Sequence, residues 1–255
     1  MKIVRYENHH DRLIYGRLED GLVYPLDGSP FQEVLRVNSA LQPLKYGTVD
    51  VVAPCEPTKI VALAINYKGA TGQSSTMTEP LVFIKGSNSI SGPGKKVRLP
   101  FVSNTWGEAE LGVVIKRRAS EIQLQDAARY ILGYIPANDV SCDNVDNRDH
   151  HLARSKSADG FCPVGHYIDT AYDPENKNIL AYQNNILLRS GNTRELIWDV
   201  HKTITWLSGW MTLYPGDLVL TGTPPRVRER MFLKSGDAYT VQIEGFPALI
   251  TEFYA

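Results

Sequence analysis

Short strand-like runs separated by turn residues dominate this sequence and limit the folds open to it. From residue 60 onward, seven runs are rich in β-branched and other apolar residues, at 60–65, 81–85, 110–115, 132–139, 217–223, 238–245 and 247–253. Such runs favour β-strands. Their spacing is irregular and few helices separate them. The pattern therefore indicates a mixed, β-rich α+β fold, a β-roll or sandwich, rather than a doubly wound α/β sheet.

Helix and turn signals complete the outline. Two helices are predicted, "SEIQLQDAARYIL" with Ser120 as its N-cap, and "TRELIWDVHKTITWLSGWM" running from Thr193. The pair "NN" at 184–185 predicts a hairpin turn, because Asn tolerates positive φ. Before them, "KIVRY", "LIYGRL" and "GLVYPL" predict short strands, and "SPFQEVLRV" a short helix capped by Ser29. The proline-containing stretch "VVAPCEPTKI" then suggests a small N-terminal domain at 1–55 and a larger, strand-rich domain at 56–255.

Charge and composition exclude several classes of partner. The net charge of −1 argues against nucleic acid or an anionic membrane surface. No run approaches the ~18 apolar residues that a membrane span needs. The start "MKIVRYENHH" is charged where a signal peptide is apolar, which predicts a cytoplasmic protein. The three cysteines are far apart and are interpreted as reduced thiols. A small-molecule partner is expected.

The stretch "WGEAELGVVIKRRA" opens a core strand with two carboxylates, Glu108 and Glu110. Strand side chains alternate faces, so the two point the same way, roughly 6 to 7 Å apart. Without a cation they repel each other, and burial raises their pKa values. A hard divalent cation relieves both effects, and Asp139 in "IPANDVS" offers a third oxygen ligand. Half an octahedron then stays open for a chelating 2-oxo acid. The alternative is a solvated strand edge without function.

The order and spacing of several motifs resemble the fumarylacetoacetate hydrolase family. They are "EAELGVVI", "GYIPANDVS", "RSKSADGFCPVG", "LYPGDLVLTGTP" and "GDAYTVQIEGFPAL", and the resemblance covers roughly residues 56 to 255. It implies a mixed β-roll, commonly a homodimer, that acts on 2-oxo acids and their enols with Mg2+ or Mn2+. By resemblance Glu108, Glu110 and Asp139 match the metal ligands.

The same resemblance suggests residues that meet the substrate. Lys156 matches a lysine that faces it, Thr223 a threonine that meets its carboxylate, and Lys85 a basic residue near the site. Arg154 with Lys156, in "RSKS", is similar to the branch that isomerises 2-hydroxyhepta-2,4-dienedioate and decarboxylates its tricarboxylate precursor in aromatic catabolism.

This sequence departs from the family pattern at three places. Ala70 and Gln73 stand where many members have the His and Glu of a lid that activates water. Asp143 replaces a basic residue, and Pro225 and Arg226 stand where glycine is common. Arg226 is interpreted as an exposed loop residue, and the alternative is that it contacts an anionic substrate. The missing lid base puts hydrolysis of a C–C bond in doubt.

Three functional hypotheses remain open. The leading one is a divalent-metal-dependent enzyme that isomerises or decarboxylates a 2-oxo dicarboxylic acid through a metal-stabilised enolate, because these reactions need an electron sink more than activated water. The second is a C–C hydrolase of the acylpyruvate or fumarylpyruvate type that draws its base from elsewhere. The third is a non-catalytic homologue that kept the metal and ligand site.

Overall fold

The structure is a computed structural model, and it describes residues 1–8, 12–32, 34–70, 78–144 and 147–255. Two α-helices are present in these ranges, α1 at Ala153–Ser157 and α2 at Val200–Ser208. The strands are β1 Lys2–Glu7, β2 Leu13–Glu19, β3 Leu22–Pro25, β4 Leu44–Lys45, β5 Asp50–Val52, β6 Ile60–Ala64, β7 Leu81–Lys85, β8 Ile90–Ser91, β9 Val97–Arg98, β10 Thr105–Trp106, β11 Ala109–Ile115, β12 Ile131–Asn138, β13 Ser141–Cys142, β14 Cys162–Pro163, β15 Ile168–Asp169, β16 Asn178–Gln183, β17 Ile186–Asn192, β18 Leu218–Leu220, β19 Ala238–Ile243 and β20 Leu249–Tyr254.

The strands form one large mixed sheet and a second, smaller one. The large sheet has eleven strands in the order β4-β3-β2-β1-β15-β12-β11-β18-β6-β7, with β5 paired to β1. The second has five, in the order β17-β16-β19-β20-β9. Two short pairs, β10 with β13 and β14 with β8, complete the ladders. The β-rich architecture predicted from the strand-like runs is confirmed. The N-terminal strands join the large sheet because β1 pairs with β15, and the boundary at residue 55 stays a prediction.

The core lies on both faces of the central strand β11, which is why every residue of that strand after Glu110 is apolar. All seven of its residues are buried. Leu111, Val113 and Ile115 pack with the smaller sheet in one cluster, and Val114 packs on the opposite face in another. A strand buried on both faces needs no polar alternation. Polar residues at its head therefore call for a separate explanation.

The hairpin at Asn184 and Asn185 is confirmed, since β16 pairs antiparallel with β17 and the two residues have φ of 49° and 66°. Both predicted long helices are shorter than expected. The segment after Ser120 forms a 3-10 helix only at Leu124–Tyr130, and β12 follows at once. Glu121 N–H instead donates to Ser208 O at 2.7 Å, so a tertiary hydrogen bond replaces the predicted cap.

The segment from Thr193 is interrupted. A 3-10 helix ends at Glu195, and α2 begins only at Val200, where Asp199 accepts from Lys202 N at 2.9 Å as the N-cap. Leu196 forms a bridge with Tyr67, and Ile197 N donates to Asn66 O at 2.8 Å, so these residues are held outside a helix.

The short helix predicted at Ser29 is wrong for the described residues there. Ser29 O accepts from Gln32 N at 3.2 Å in a turn. Among the helices of the described ranges, none has the length and apolar character required to cross a bilayer.

Candidate metal centre

Strand pairing brings three carboxylates to one end of the large sheet. Ala109 of β11 pairs with Asn138 of β12, and Asp139 N donates to Glu108 O at 2.9 Å. Asp139, which follows β12, is thus opposite the residue that precedes β11. Glu110 lies two residues further along β11, on the same side as Glu108. One oxygen from each of the three side chains lies within 4.8 Å of the others.

Burial and the neighbouring negative charges disfavour the ionised form of Glu110 when no cation is bound. Glu110 is 1% exposed and Asp139 is fully buried. Burial, followed by the negative charges of Asp139 and Glu108, raises the pKa of Glu110 well above its usual value. Its Oε2 accepts from Gly222 N at 2.6 Å, which only partly offsets the effect. A donor set of three carboxylates fits Mg2+ or Mn2+, since these hard ions take oxygen ligands.

Two buried lysines hold Asp139. Lys85 Nζ donates to Oδ1 at 2.7 Å, and Lys156 Nζ donates to Oδ2 at 2.6 Å. Burial by itself would raise the pKa of Asp139, but Lys156 and Lys85 hold it below its ordinary value. Burial likewise acts to lower the pKa of Lys156, and the charges of Asp139 and Glu108 outweigh it and raise the pKa. Asp139 and Lys156 therefore stay ionised.

The lysines differ in what they reach. Lys156 lines the cavity in front of the carboxylates, where Ser141 Oγ also accepts from its Nζ at 2.6 Å and its ammonium lies 4.1 Å from the Phe83 ring centre. Lys85 does not line that cavity. It is fully buried, and its Nζ donates a second hydrogen bond to Val140 O at 3.1 Å. The geometry gives Lys85 a positioning role at Asp139, and its predicted contact with substrate stays a prediction.

A cavity of about 290 Å3 opens onto the three carboxylates. Apolar side chains including Leu63, Phe83 and Leu152 line one part of it. Thr223 also lines it, and the buried Thr223 Oγ1 has no hydrogen-bond partner among the described residues. An unsatisfied buried hydroxyl is costly. The hydroxyl is therefore available to a ligand, and the predicted contact of Thr223 with a substrate carboxylate stays a prediction.

Of the other residues singled out in the sequence, some line the cavity and some do not. Arg154 does not line the cavity, and its guanidinium lies 5.1 Å from the Phe101 ring centre. Ala70 does line it, whereas Gln73 lies outside the described residues. Asp143 is absent from the wall, and its Oδ2 accepts from Asn104 Nδ2 at 2.8 Å. Arg226 is exposed as expected and also lines the cavity.

Among the cavity residues that the sequence did not reveal are Trp106, Arg189 and Arg230. Arg189 contacts one of the three carboxylates directly, because its Nη2 donates to Glu108 Oε1 at 2.7 Å. No local signal marks Arg189, which lies in a strand more than seventy residues beyond Glu108. The run "RVRER" at 226–230 was the available hint, since it concentrates cations in the loop after Thr223.

Comparison with known proteins agrees with this geometry. The family profile described as fumarylacetoacetate (FAA) hydrolase C-terminal matches residues 59–254, and a second, described as Rv2993c-like, N-terminal, matches residues 1–54. A mitochondrial oxaloacetate tautomerase of Bos taurus is 35% identical over 228 residues, 82% of this chain and 71% of the relative. A 2,4-didehydro-3-deoxy-L-rhamnonate hydrolase of a Sphingomonas species is 37% identical over 199 residues, 73% of this chain and 70% of the relative.

Solved structures show the same fold along the entire chain. A 2-hydroxyhepta-2,4-diene-1,7-dioate isomerase from Mycobacterium marinum superposes with a TM-score of 0.88 at 29% identity, covering 100% of this chain and 98% of that one. A maleylpyruvate hydrolase from Sphingobium sp. SYK-6, in complex with manganese(II) and pyruvate, has a TM-score of 0.79 at 24% identity and covers 100% and 99%. The relatives thus include tautomerases, isomerases and hydrolases.

Proposed function

Because the chain belongs to the fumarylacetoacetate hydrolase family, as its motifs predicted, we propose that it is a divalent-metal-dependent enzyme that isomerises or decarboxylates a 2-oxo dicarboxylic acid. The observation that carries the proposal is the group formed by Glu108, Glu110 and Asp139, whose oxygens lie within 4.8 Å of one another at a cavity. Tautomerase and isomerase relatives support this reaction class.

The three carboxylates would hold Mg2+ or Mn2+. A bound divalent ion supplies Lewis acidity, which stabilises the negative charge of an enolate. The remaining chemistry falls to side chains on the cavity wall. Lys156 has a raised pKa, so it keeps its proton and presents a fixed positive charge to a substrate carboxylate or enolate oxygen. The unpartnered hydroxyl of Thr223 can donate to the same carboxylate and orient it.

The cavity wall supports this reaction over hydrolysis. Ala70 stands on the wall at the position where many family members have a lid histidine, and a methyl group cannot take a proton from water. No histidine occurs among the described residues that line the cavity. In decarboxylation the electron pair of the broken C–C bond becomes the enolate as CO2 leaves, and in isomerisation the α-proton would pass to solvent water. Both reactions need charge stabilisation, which the lysine and the carboxylate-bound ion would provide without an activated water nucleophile. Hydrolysis remains the second candidate because one relative is named as a hydrolase.

The test is product analysis with the metal controlled. The protein is stripped with EDTA, reloaded with Mg2+ or Mn2+, and given oxaloacetate, a longer 2-oxo dicarboxylic acid and an acylpyruvate. NMR follows the products against a blank that contains metal without protein. We expect metal-dependent keto–enol conversion or CO2 release from the dicarboxylic acids. Pyruvate released from the acylpyruvate would instead establish the hydrolase.

A pair of variants separates the site from the fold. Glu108→Ala should abolish metal-dependent turnover, because it removes one ligand and the partner of Arg189. Glu252→Ala is the matched control, since this glutamate is exposed and pairs with Lys96 on the surface. Turnover that survives in Glu108→Ala contradicts the proposal. Wild-type protein that binds Mn2+ yet turns over none of the three compounds would favour a non-catalytic homologue.

A further inference from the structure

Three arginines converge on one wall of the cavity. Arg189 lies on β17, whereas Arg226 and Arg230 lie in the loop that follows β18. The loop runs beside β17 because Arg226 and Arg189 form an antiparallel bridge and Val227 N donates to Leu188 O at 2.9 Å. Backbone pairing thus carries the guanidinium groups to the cavity from two distant parts of the chain.

Among the residues that the structure describes, a carboxylate neutralises only one of the three arginines, Arg189. Arg189 donates to Glu108 Oε1 and, through Nη1, to Pro224 O, each at 2.7 Å. No carboxylate of the described residues lies within 4.0 Å of the guanidinium of Arg226 or Arg230. Cations that remain unpaired at the wall of a cavity are available to an anionic ligand.

Arg230 is held in a defined orientation. Its guanidinium lies 3.8 Å from the ring centre of Trp106, which also lines the cavity. Stacking uses the face of the guanidinium and leaves its edge for in-plane hydrogen bonds to a planar anion. The Nε atom of Arg230 is buried and has no hydrogen-bond partner among the described residues. An unsatisfied buried donor of this kind points to a ligand that completes it.

The charges of the cavity wall indicate how many anionic groups the ligand carries. Three carboxylates line it, against four cations, Lys156 and the three arginines. A divalent ion adds two positive charges, so the metal-loaded cavity has a net charge of +3. A 2-oxo monocarboxylate would neutralise one unit of this charge, and a second carboxylate would neutralise another. The excess therefore favours a substrate that is charged at both ends.

We propose that Arg226 and Arg230 form a distal anion subsite that selects 2-oxo acids with a second carboxylate at the end remote from the metal. The inference rests on the proposed function for the metal end and adds the residues that determine specificity. Glu108, Glu110 and Asp139 bind through the ion to the 2-oxo acid, and the two arginines bind the far carboxylate. Arg189 is already committed to Glu108 and Pro224 O and is not part of the subsite.

Calorimetric binding to Mg2+-loaded protein tests the subsite. Two pairs of ligands differ only in the distal carboxylate: 2-oxoglutarate against 2-oxopentanoate, and 2-oxoadipate against 2-oxohexanoate. Oxalate probes the metal end alone. We expect wild-type protein to bind at least one dicarboxylate about tenfold or more tightly than its monocarboxylate partner, the scale of a hydrogen bond to a charged group. Arg226→Met and Arg230→Met should each move that ratio toward one and leave oxalate affinity within about twofold.

Arg228→Met is the matched control. Arg228 lies in the same loop and is exposed, but it does not line the cavity, so its removal should leave the ratio unchanged. A ratio near one in wild-type protein for both pairs, with oxalate binding that requires Mg2+, overturns the subsite and leaves the proposed function standing. An equal fall of the affinity ratio in all three arginine variants overturns the subsite as well, because it would indicate a general electrostatic attraction by the loop. Oxalate binding that is independent of Mg2+ overturns the proposed function, and the inference with it.

Discussion

Replacing Glu110 with Gln should separate metal binding from the stability of the fold. Glu110 is 1% exposed, and its Oε2 accepts the Gly222 N–H at 2.6 Å. Gln keeps the size of the side chain and an acceptor oxygen for that N–H. The substitution therefore removes a charge from the cluster without opening a cavity.

The direction of the stability change follows from the pKa of Glu110. Burial, then the charges of Asp139 and Glu108, raise that pKa above its ordinary value of 4.5 in the metal-free fold. The native state then holds a proton that the unfolded state releases, so stability falls as pH rises from 4.5 toward the raised value. The variant escapes this loss. Without metal, Glu110→Gln should be at least as stable as wild type at pH ~8, and its advantage should shrink toward pH ~5.

Asp139 titrates in the opposite direction. Although burial acts to raise it, its pKa is lowered by Lys156 and Lys85, so it contributes stability above its ordinary value of 3.8 that is lost as pH falls through the lowered value. Both proteins retain Asp139 and its two lysines. To first order the contribution cancels in the comparison, and the difference above pH ~5 reports Glu110.

Bound metal should make wild type more stable than Glu110→Gln. A ligand at a hundred times its Kd stabilises the native state by about 2.7 kcal/mol. For a domain of this size, each kcal/mol shifts Tm by about 2 to 4 °C. Wild type should therefore gain about 5 to 11 °C from saturating Mn2+. The variant, which retains two of the three carboxylates, should gain only about 3 °C or less.

Differential scanning calorimetry in EDTA and in MnCl2, across a pH series, measures both effects. Glu252→Gln is the control, because it makes the same chemical change at an exposed glutamate. It should follow wild type throughout. The reasoning is refuted if Glu110→Gln is less stable than wild type at pH ~8 in EDTA, or if Mn2+ raises both Tm values equally.

Three further outcomes are expected. Lys156→Met should lower metal-dependent turnover by at least about 100-fold, the scale of a lost electrostatic donor, whereas Lys202→Met, at an exposed lysine, should not. A loss of less than about threefold for Lys156→Met in steady-state kinetics would contradict this. Asp217→Ala should lower the free energy of unfolding by about 3 to 5 kcal/mol, because this fully buried carboxylate pairs with a lysine and accepts three backbone N–H bonds. Urea unfolding checks that value, and a loss below about 1 kcal/mol would show the network to be dispensable. Gly222→Ala should weaken Mn2+ binding by more than about tenfold, because φ is +92° there and an added Cβ would lie 2.9 Å from the Cβ of Asn66. The resulting backbone shift would move the N–H that donates to Glu110. An unchanged Kd for Mn2+ in calorimetry would argue against that coupling.

Local chemistry in the sequence was enough for several features of this protein. Alternation along a strand placed Glu108 and Glu110 on one side, and runs of apolar residues marked the strands of the large sheet. Two asparagines were enough for the hairpin at 184–185, because they tolerate the positive φ that it needs. Lys156 and Thr223 were found through motif resemblance, and the structure places both on the cavity wall.

Helix length was not decided locally. Residues 193–208 have a helical apolar pattern, yet α2 begins at Val200, since Ile197 N finds its hydrogen-bond partner at Asn66 O. The segment after Ser120 behaves in the same way toward Ser208. A backbone N–H has one strong bond to make, and a partner remote in sequence is invisible to propensity.

The charge pattern of the site was decided only by tertiary structure. The sequence alone identified the carboxylates, but strand pairing placed Asp139 opposite Glu108, and folding brought Lys85 and Lys156 to Asp139. Arg189, on β17, reaches Glu108 across more than seventy residues. The physical reason is that a pKa or an ion pair depends on distance and burial in space, whereas local sequence specifies only which face of its own strand a side chain occupies.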